Sequence, residues 1–102
     1  MEKVIAGKTI NVNEEGYLTD FSQWDKAVGE EIAKEEGIAL TDRHWAVVTW
    51  IQEQEKAKVA LTIRKLGKSG VTDIKEFYEL FPGGPLKKAT KIAGIKKPVG
   101  CI

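Results

Sequence analysis

The sequence predicts a mostly helical α+β domain: an N-terminal β-hairpin, a set of helices, and a short C-terminal arm. Three observations predict it. Apolar residues recur at helical spacing from Trp24 to Ala93. β-Branched residues flank a glycine turn near the N-terminus, at Val4-Ile5-Ala6, Gly7-Lys8 and Thr9-Ile10-Asn11-Val12. From Gly94 onward, two glycines, a proline and two lysines leave too little apolar text for a helix or a packed strand. The chain has 102 residues, 42% of them hydrophobic and 30% charged, which suits one modest core under one polar surface. The expected division is a single helical body over 1–94 and a mobile arm over 95–102.

Each element has its own signal. After the hairpin, Asn13 to Gly16 forms a second turn, and Tyr17-Leu18 starts another short extended piece. A two-stranded hairpin is marginal alone, so it must lie on helices. Ser22 or Asp20 can cap a helix from about Trp24 to Glu36, with Trp24, Ala27, Val28 and Ile32 along its apolar stripe and Gly37 at its end. Thr41 caps the next helix, which continues to about Lys56 and is apolar around much of its girth, as a central helix would be. Val59 to Lys68 reads as a third helix, ended by Gly67 or Gly70. Thr72 caps a fourth over Asp73 to Leu80, with Ile74, Phe77, Tyr78 and Phe81 as its apolar side. Pro82-Gly83-Gly84 breaks it, and Pro85 opens a last short helix to Ala93. Trp24, Trp45 and Trp50 sit at helical positions expected in the core.

The charge is unevenly placed. Residues 1–55 hold 5 Lys/Arg against 12 Asp/Glu, a net of −7, and residues 56–102 hold 11 against 3, a net of +8. No acidic side chain follows Glu79. Such a half either meets something anionic or presents a solvated lysine face. The longest apolar runs are too short to span a bilayer, and the N-terminus has no apolar stretch of the secretory kind, so the expectation is a cytoplasmic protein without membrane contact. One cysteine and one histidine make a poor metal site, and no phosphate-binding glycine loop or nucleophile elbow occurs; no cofactor is expected.

Cys101, the only cysteine, is the next-to-last residue. A structural cysteine is usually buried, whereas this one rides the arm. A tethered thiol can visit another protein's active site and return, and neighbouring lysines favour its thiolate. Gly100 keeps the backbone beside it uncluttered, and Pro98 limits the entropy lost on docking. A tail cysteine with no role is the plain alternative. His44 suits packing or capping better than service as a base for Cys101. Arg64 is placed either to contact an anion or the chain's terminal carboxylate, or as an ordinary surface arginine. The helices over 59–68 and 73–80 form a helix-turn-helix-like pair. The second carries Asp73, Glu76 and Glu79 against Lys75 alone, a poor surface for phosphates, so direct DNA binding is not expected and a helix-turn-helix-type DNA-binding regulator stands only as a lesser alternative function.

The C-terminal text is specific. Phe77-Tyr78-Glu79-Leu80-Phe81-Pro82-Gly83-Gly84-Pro85, then Ala89-Thr90-Lys91-Ile92-Ala93-Gly94 and Lys97-Pro98-Val99-Gly100-Cys101-Ile102, resembles the DsrC/TusE family of sulfur carriers. Gly16-Tyr17-Leu18 with Asp20 and Trp24, Glu36-Gly37-Ile38, His44-Trp45 and Arg64 after Ile63 agree with it. The resemblance covers most of the chain and is weakest from Gln52 to Asp73. It implies a small orthogonal helical bundle with an N-terminal β-hairpin and a flexible C-terminal arm. It also implies that Cys101 carries sulfur, with Arg64, Lys91, Lys97, Pro98 and Gly100 as arm and anion-contact positions.

Family members of the DsrC type have a second cysteine eleven residues upstream, which closes an intramolecular bridge through sulfite-derived sulfur made at dissimilatory sulfite reductase. Thr90 stands at that position here and cannot form the bridge. The pattern is the single-cysteine, TusE-like one. It implies a sulfurtransferase-type carrier that accepts persulfide sulfur from a TusBCD- or DsrEFH-like donor complex. The sulfur then passes towards the enzyme making 2-thiouridine in tRNA; a partner or regulator of sulfite reductase is the alternative. Lys96 stands where relatives usually carry proline.

Overall fold

The computed structural model describes residues 1–59 and 61–96. Two strands, β1 (Glu2–Ile5) and β2 (Lys8–Asn11), pair antiparallel with Ile5 opposite Lys8 and Lys3 opposite Ile10. The connecting Ala6 and Gly7 both have positive φ, 53° and 77°, as the two-residue hairpin turn requires. Ile5, Ile10 and Val12 share the buried face, while Val4 on the other face is 69% exposed. The sheet thus has one wet side, and Lys3–Glu35 and Lys8–Asp25 ion pairs hold its other side on the first helix.

Five α-helices follow: α1 (Lys26–Glu35), α2 (Asp42–Lys56), α3 (Ile63–Gly67), α4 (Ile74–Leu80) and α5 (Pro85–Ile92). The expected mostly helical α+β class and the hairpin hold. The cap of α1 differs from expectation. Asp20 instead accepts from the Ser22 N–H and caps a separate 3-10 turn at Phe21–Gln23. Asp25 caps α1 by accepting from the Val28 N–H, so Trp24 precedes the helix. Gly37 does end it, at φ 76°, with Ile38 N–H donating to Ala33 O and Gly37 N–H to Lys34 O. Thr41 precedes α2 as expected. Helix α3 starts at Ile63, capped by Thr62, because the chain leaves α2 through Lys58 at φ 57°. Asp73, not Thr72, caps α4 by accepting from the Glu76 N–H.

The core corrects two further expectations. The hub is α5, which packs on α1, α2 and α4; α2 buries only His44, Val47, Val48 and Ile51. Trp24, Trp45 and Trp50 are half-buried at the margin of the core rather than inside it. The centre is filled by smaller side chains and two phenylalanines: Val28, Ile32, Val47, Ile51, Leu66, Phe77, Phe81, Leu86 and Ile92. On α4 the apolar side narrows to Phe77 and Phe81, while Ile74 and Tyr78 are each 46% exposed.

The Asp25 carboxyl lies below its ordinary value of 3.8, mainly through the hydrogen bond from Lys8 and then through the Val28 N–H. A depressed carboxylate contributes stability above its unfolded pKa that is lost as pH falls through the folded one. Asp25→Asn keeps a good cap but removes the charge. Urea denaturation is expected to show the wild type ahead of Asp25→Asn at neutral pH. The lead should shrink below pH 3.8 and vanish with further acid.

Candidate functional site

The described chain ends just beyond the C-terminus of α5, at Lys96, and the junction at Gly94 and Ile95 is fully tied. A helix leaves its last four carbonyls without intrahelical partners. Here these belong to Thr90, Lys91, Ile92 and Ala93, and each finds a donor. Ile95 N–H donates to Thr90 O at 3.2 Å and Gly94 N–H to Lys91 O at 3.2 Å, the Schellman pair that a C-terminal glycine permits. The other two are served from distant elements. Trp24 Nε1–H donates to Ile92 O at 2.7 Å, and Gln52 Nε2–H to Ala93 O at 2.9 Å. The indole is clamped between two glycines: a Cβ on Gly94 would lie 2.3 Å from Trp24 Cδ1, and one on Gly29 3.0 Å from Trp24 Cζ2. Ile95 is 4% exposed, so the first residue assigned to the arm packs with the body. Lys96 reaches back to Glu55 at 3.9 Å.

Cys101, Lys97, Pro98 and Gly100 lie outside the described residues. Of the other positions singled out by sequence, Lys91 and Arg64 lie on different helices, α5 and α3. Lys91 on α5 is half-buried and pairs with Glu36 at 3.3 Å, across the end of α1. Arg64 lies exposed on α3. Thr90 is fully buried, and its hydroxyl donates to Leu86 O at 2.8 Å.

His44 is engaged on both ring nitrogens. Nδ1 accepts the Thr41 N–H at 3.1 Å, which leaves Nε2–H to donate to Leu80 O at 2.8 Å. Its ring meets Phe81 edge-on at 5.1 Å. It therefore caps α2 and pins α4, a structural role. Glu76 is similarly committed. Arg43 donates to it from Nε at 3.1 Å and from Nη2 at 2.5 Å and holds its carboxyl below the ordinary range, with the Thr72 hydroxyl adding a third hydrogen bond. The acidic start of α4 thus belongs to the fold's internal bonding.

A groove of about 440 Å³ opens beside the arm junction, floored by Leu18 and Ile95 and edged by Phe21, Gln52, Glu55, Lys56 and Lys96. Sequence reasoning missed Trp24 and Gln52 as anchors of this junction. Their partners stand 68 and 41 positions away, and no local pattern reports such pairs. Among the described residues, no three His, Cys, Asp or Glu side chains gather as a metal site requires. None of the described helices is long and apolar enough to cross a membrane.

Known proteins resemble this chain along nearly its whole length. The profile of the family described as "DsrC like protein" matches residues 4–102, a span that includes Cys101. The protein named Sulfurtransferase TusE of Pectobacterium atrosepticum is 41% identical over 104 residues, covering 94% of this chain and 95% of that one. Its namesake in Salmonella typhimurium is 41% identical over 107 residues, covering 97% and 98%. In structure, the chain matches DsrC of Allochromatium vinosum with a TM-score of 0.80 at 36% identity, over all of both chains. It matches the oxidized gamma-subunit of the dissimilatory sulfite reductase (DsrC) from Archaeoglobus fulgidus at 0.84 and 34%, again over all of both.

Proposed function

The chain belongs to the family of DsrC-like proteins, and from that premise we propose that it is a sulfur-relay protein holding sulfane sulfur as a persulfide on Cys101. The observation that carries this is the family match running through a tail with one penultimate cysteine and no second thiol anywhere in the chain. The sulfurtransferase relatives, rather than the sulfite reductase subunits, set the direction: a single-site carrier serving tRNA 2-thiouridine synthesis. The donor of this reading is a TusBCD-type complex, and the setting is a reducing cytoplasm, where a lone thiol stays free.

The chemistry is thiol–persulfide exchange. The Cys101 thiolate attacks the outer sulfur of a donor persulfide. A bond forms between Cys101 Sγ and that sulfur, and the donor's S–S bond breaks. The donor cysteine leaves as thiolate, and the proton stays on the transferred sulfur. No oxidant is consumed. The reverse step on a second protein unloads the sulfur. The folded body contributes presentation: α5, fixed by Trp24 and Gln52, is the post to which the tether is tied.

Incubation of the purified protein with a persulfide donor is expected to add about 32 Da, one sulfur atom, to the C-terminal peptide and to no other. Intact and peptide mass spectrometry read this directly. A protein that takes up no sulfur, or takes it elsewhere than on the tail peptide, would overturn the proposal.

A further inference from the structure

Resting on the sulfur-relay proposal, we infer that the groove at the arm junction is the docking site for the protein with which Cys101 exchanges sulfur, with Phe21 as its apolar anchor. Reach sets the location. Cys101 lies five residues beyond Lys96, and an extended chain at about 3.3 Å per residue spans at most roughly 17 Å. A partner's persulfide must come to bonding distance of the Cys101 thiolate. It therefore sits within that radius of Lys96, and the partner's surface covers the end of the molecule from which Lys96 emerges. The groove opens at that end, since Gly94, Ile95 and Lys96 themselves line it.

Its chemistry suits a protein surface. Leu18 and Ile95 give an apolar floor, each 4% exposed. Phe21 stands at the edge, 39% exposed, and stacks on Trp24 at 6.0 Å with the rings 9° from parallel. A ring already held by a neighbour loses little freedom when a partner covers it. Lys56 Nζ lies 5.9 Å over the same ring, and Glu55 is neutralised by Lys96. No carboxylate side chain follows Glu79 in the sequence. The surface that fits presents an apolar side chain flanked by carboxylates.

The test measures sulfur transfer from a persulfide-loaded TusBCD-type complex to the full-length chain as a function of donor concentration. A parallel arm loads the chain with inorganic polysulfide. Phe21→Ser is expected to raise the half-saturating donor concentration roughly tenfold or more, as loss of a central apolar anchor does. The maximal rate and the polysulfide loading should stay as in the wild type, and added salt should raise the half-saturating concentration of wild type and variant alike. Thr19→Glu, at another residue lining the groove, crowds it and sets a carboxylate against those of the partner, and should act in the same direction. An unchanged half-saturating concentration in both variants would overturn the assignment. So would faster polysulfide loading, which would mean that residues 97–102 of this chain occupy the groove, or a dimer in the wild type that the variants break. If polysulfide does not load the wild type at all, the sulfur-relay proposal itself fails, and the groove's assignment falls with it.

Discussion

Gly94→Ala is expected to cost about 3–5 kcal/mol of folding stability, a large share of the total of a domain this size. Two effects add. Gly94 has φ 75°, where an L side chain is strained by roughly 1–2 kcal/mol. The added Cβ would also lie 2.3, 2.6 and 2.9 Å from Cδ1, Cγ and Cβ of Trp24, the stiff base of that side chain rather than a mobile tip. The indole cannot slide away, because Gly29 and Ile92 O close its far side. It must leave, and with it goes the hydrogen bond to Ile92 O, worth about 1 kcal/mol, and part of the packing around the junction. Gly37→Ala separates the two effects. Gly37 has nearly the same φ, 76°, but no atom stands within 4 Å of its Cβ position. Urea denaturation should therefore place Gly37→Ala at the backbone cost alone and Gly94→Ala well beyond it. Equal losses in the two variants would mean that Trp24 does not lock the junction.

That contact also marks where the sequence stops being legible. Local signals carried well: the stop at Gly37, the start of α2 after Thr41 and of α5 at Pro85 followed from residue types that the backbone demands at those places, and the hairpin was legible too, although its turn, expected at Gly7-Lys8, sits one residue earlier at Ala6-Gly7. Where several polar residues compete, local signals divided. Asp20, Ser22 and Asp25 all suit a helix start, and the chain uses Asp20 for one turn and Asp25 for the helix proper. Burial was read less well than secondary structure. Three tryptophans looked like core by type, yet each lies half-exposed at the margin, since a ring that large fits more easily at an edge. The sequence points to α2 as the central helix, whereas α5 is short and carries Lys87, Lys88 and Lys91. Its other face, with Leu86, Ala89, Thr90 and Ile92, is buried almost completely. The functional text was legible for a different reason. A penultimate cysteine after Lys97-Pro98-Val99-Gly100 is a pattern in sequence, and its family match covers the whole tail. What holds the junction at the end of α5, namely Trp24, Gln52 and the groove beside them, is built from residues far apart in the chain.

Thr90→Cys is expected to convert the carrier into a protein that cannot keep its sulfur. Thr90 fills the position at which the resemblance places a second cysteine in DsrC-type relatives, eleven residues before Cys101. Its hydroxyl donates to Leu86 O, one turn back, and an alcohol, unlike a thiolate, does not attack sulfane sulfur, so it offers no nucleophile to the tail. Cysteine is close to threonine in size, and Leu86 O keeps its place in the helix ladder, so the exchange should cost about 1 kcal/mol or less. The consequence for sulfur is much larger. In the variant, the new thiolate attacks the inner sulfur of a Cys101 persulfide. A disulfide closes between positions 90 and 101, and the outer sulfur leaves as hydrosulfide. Closure requires the two Cβ atoms to approach to about 4 Å, which the intervening chain can span by folding back once Ile95 N–H releases Thr90 O. After exposure to a persulfide donor, the wild type should keep about 32 Da added, whereas Thr90→Cys should lose that mass, fall about 2 Da below its reduced form and release sulfide. Cys101→Ser, in either background, should take up nothing and close nothing. A Thr90→Cys protein that stores sulfur as long as the wild type would show that the missing second thiol is not what makes this chain a carrier.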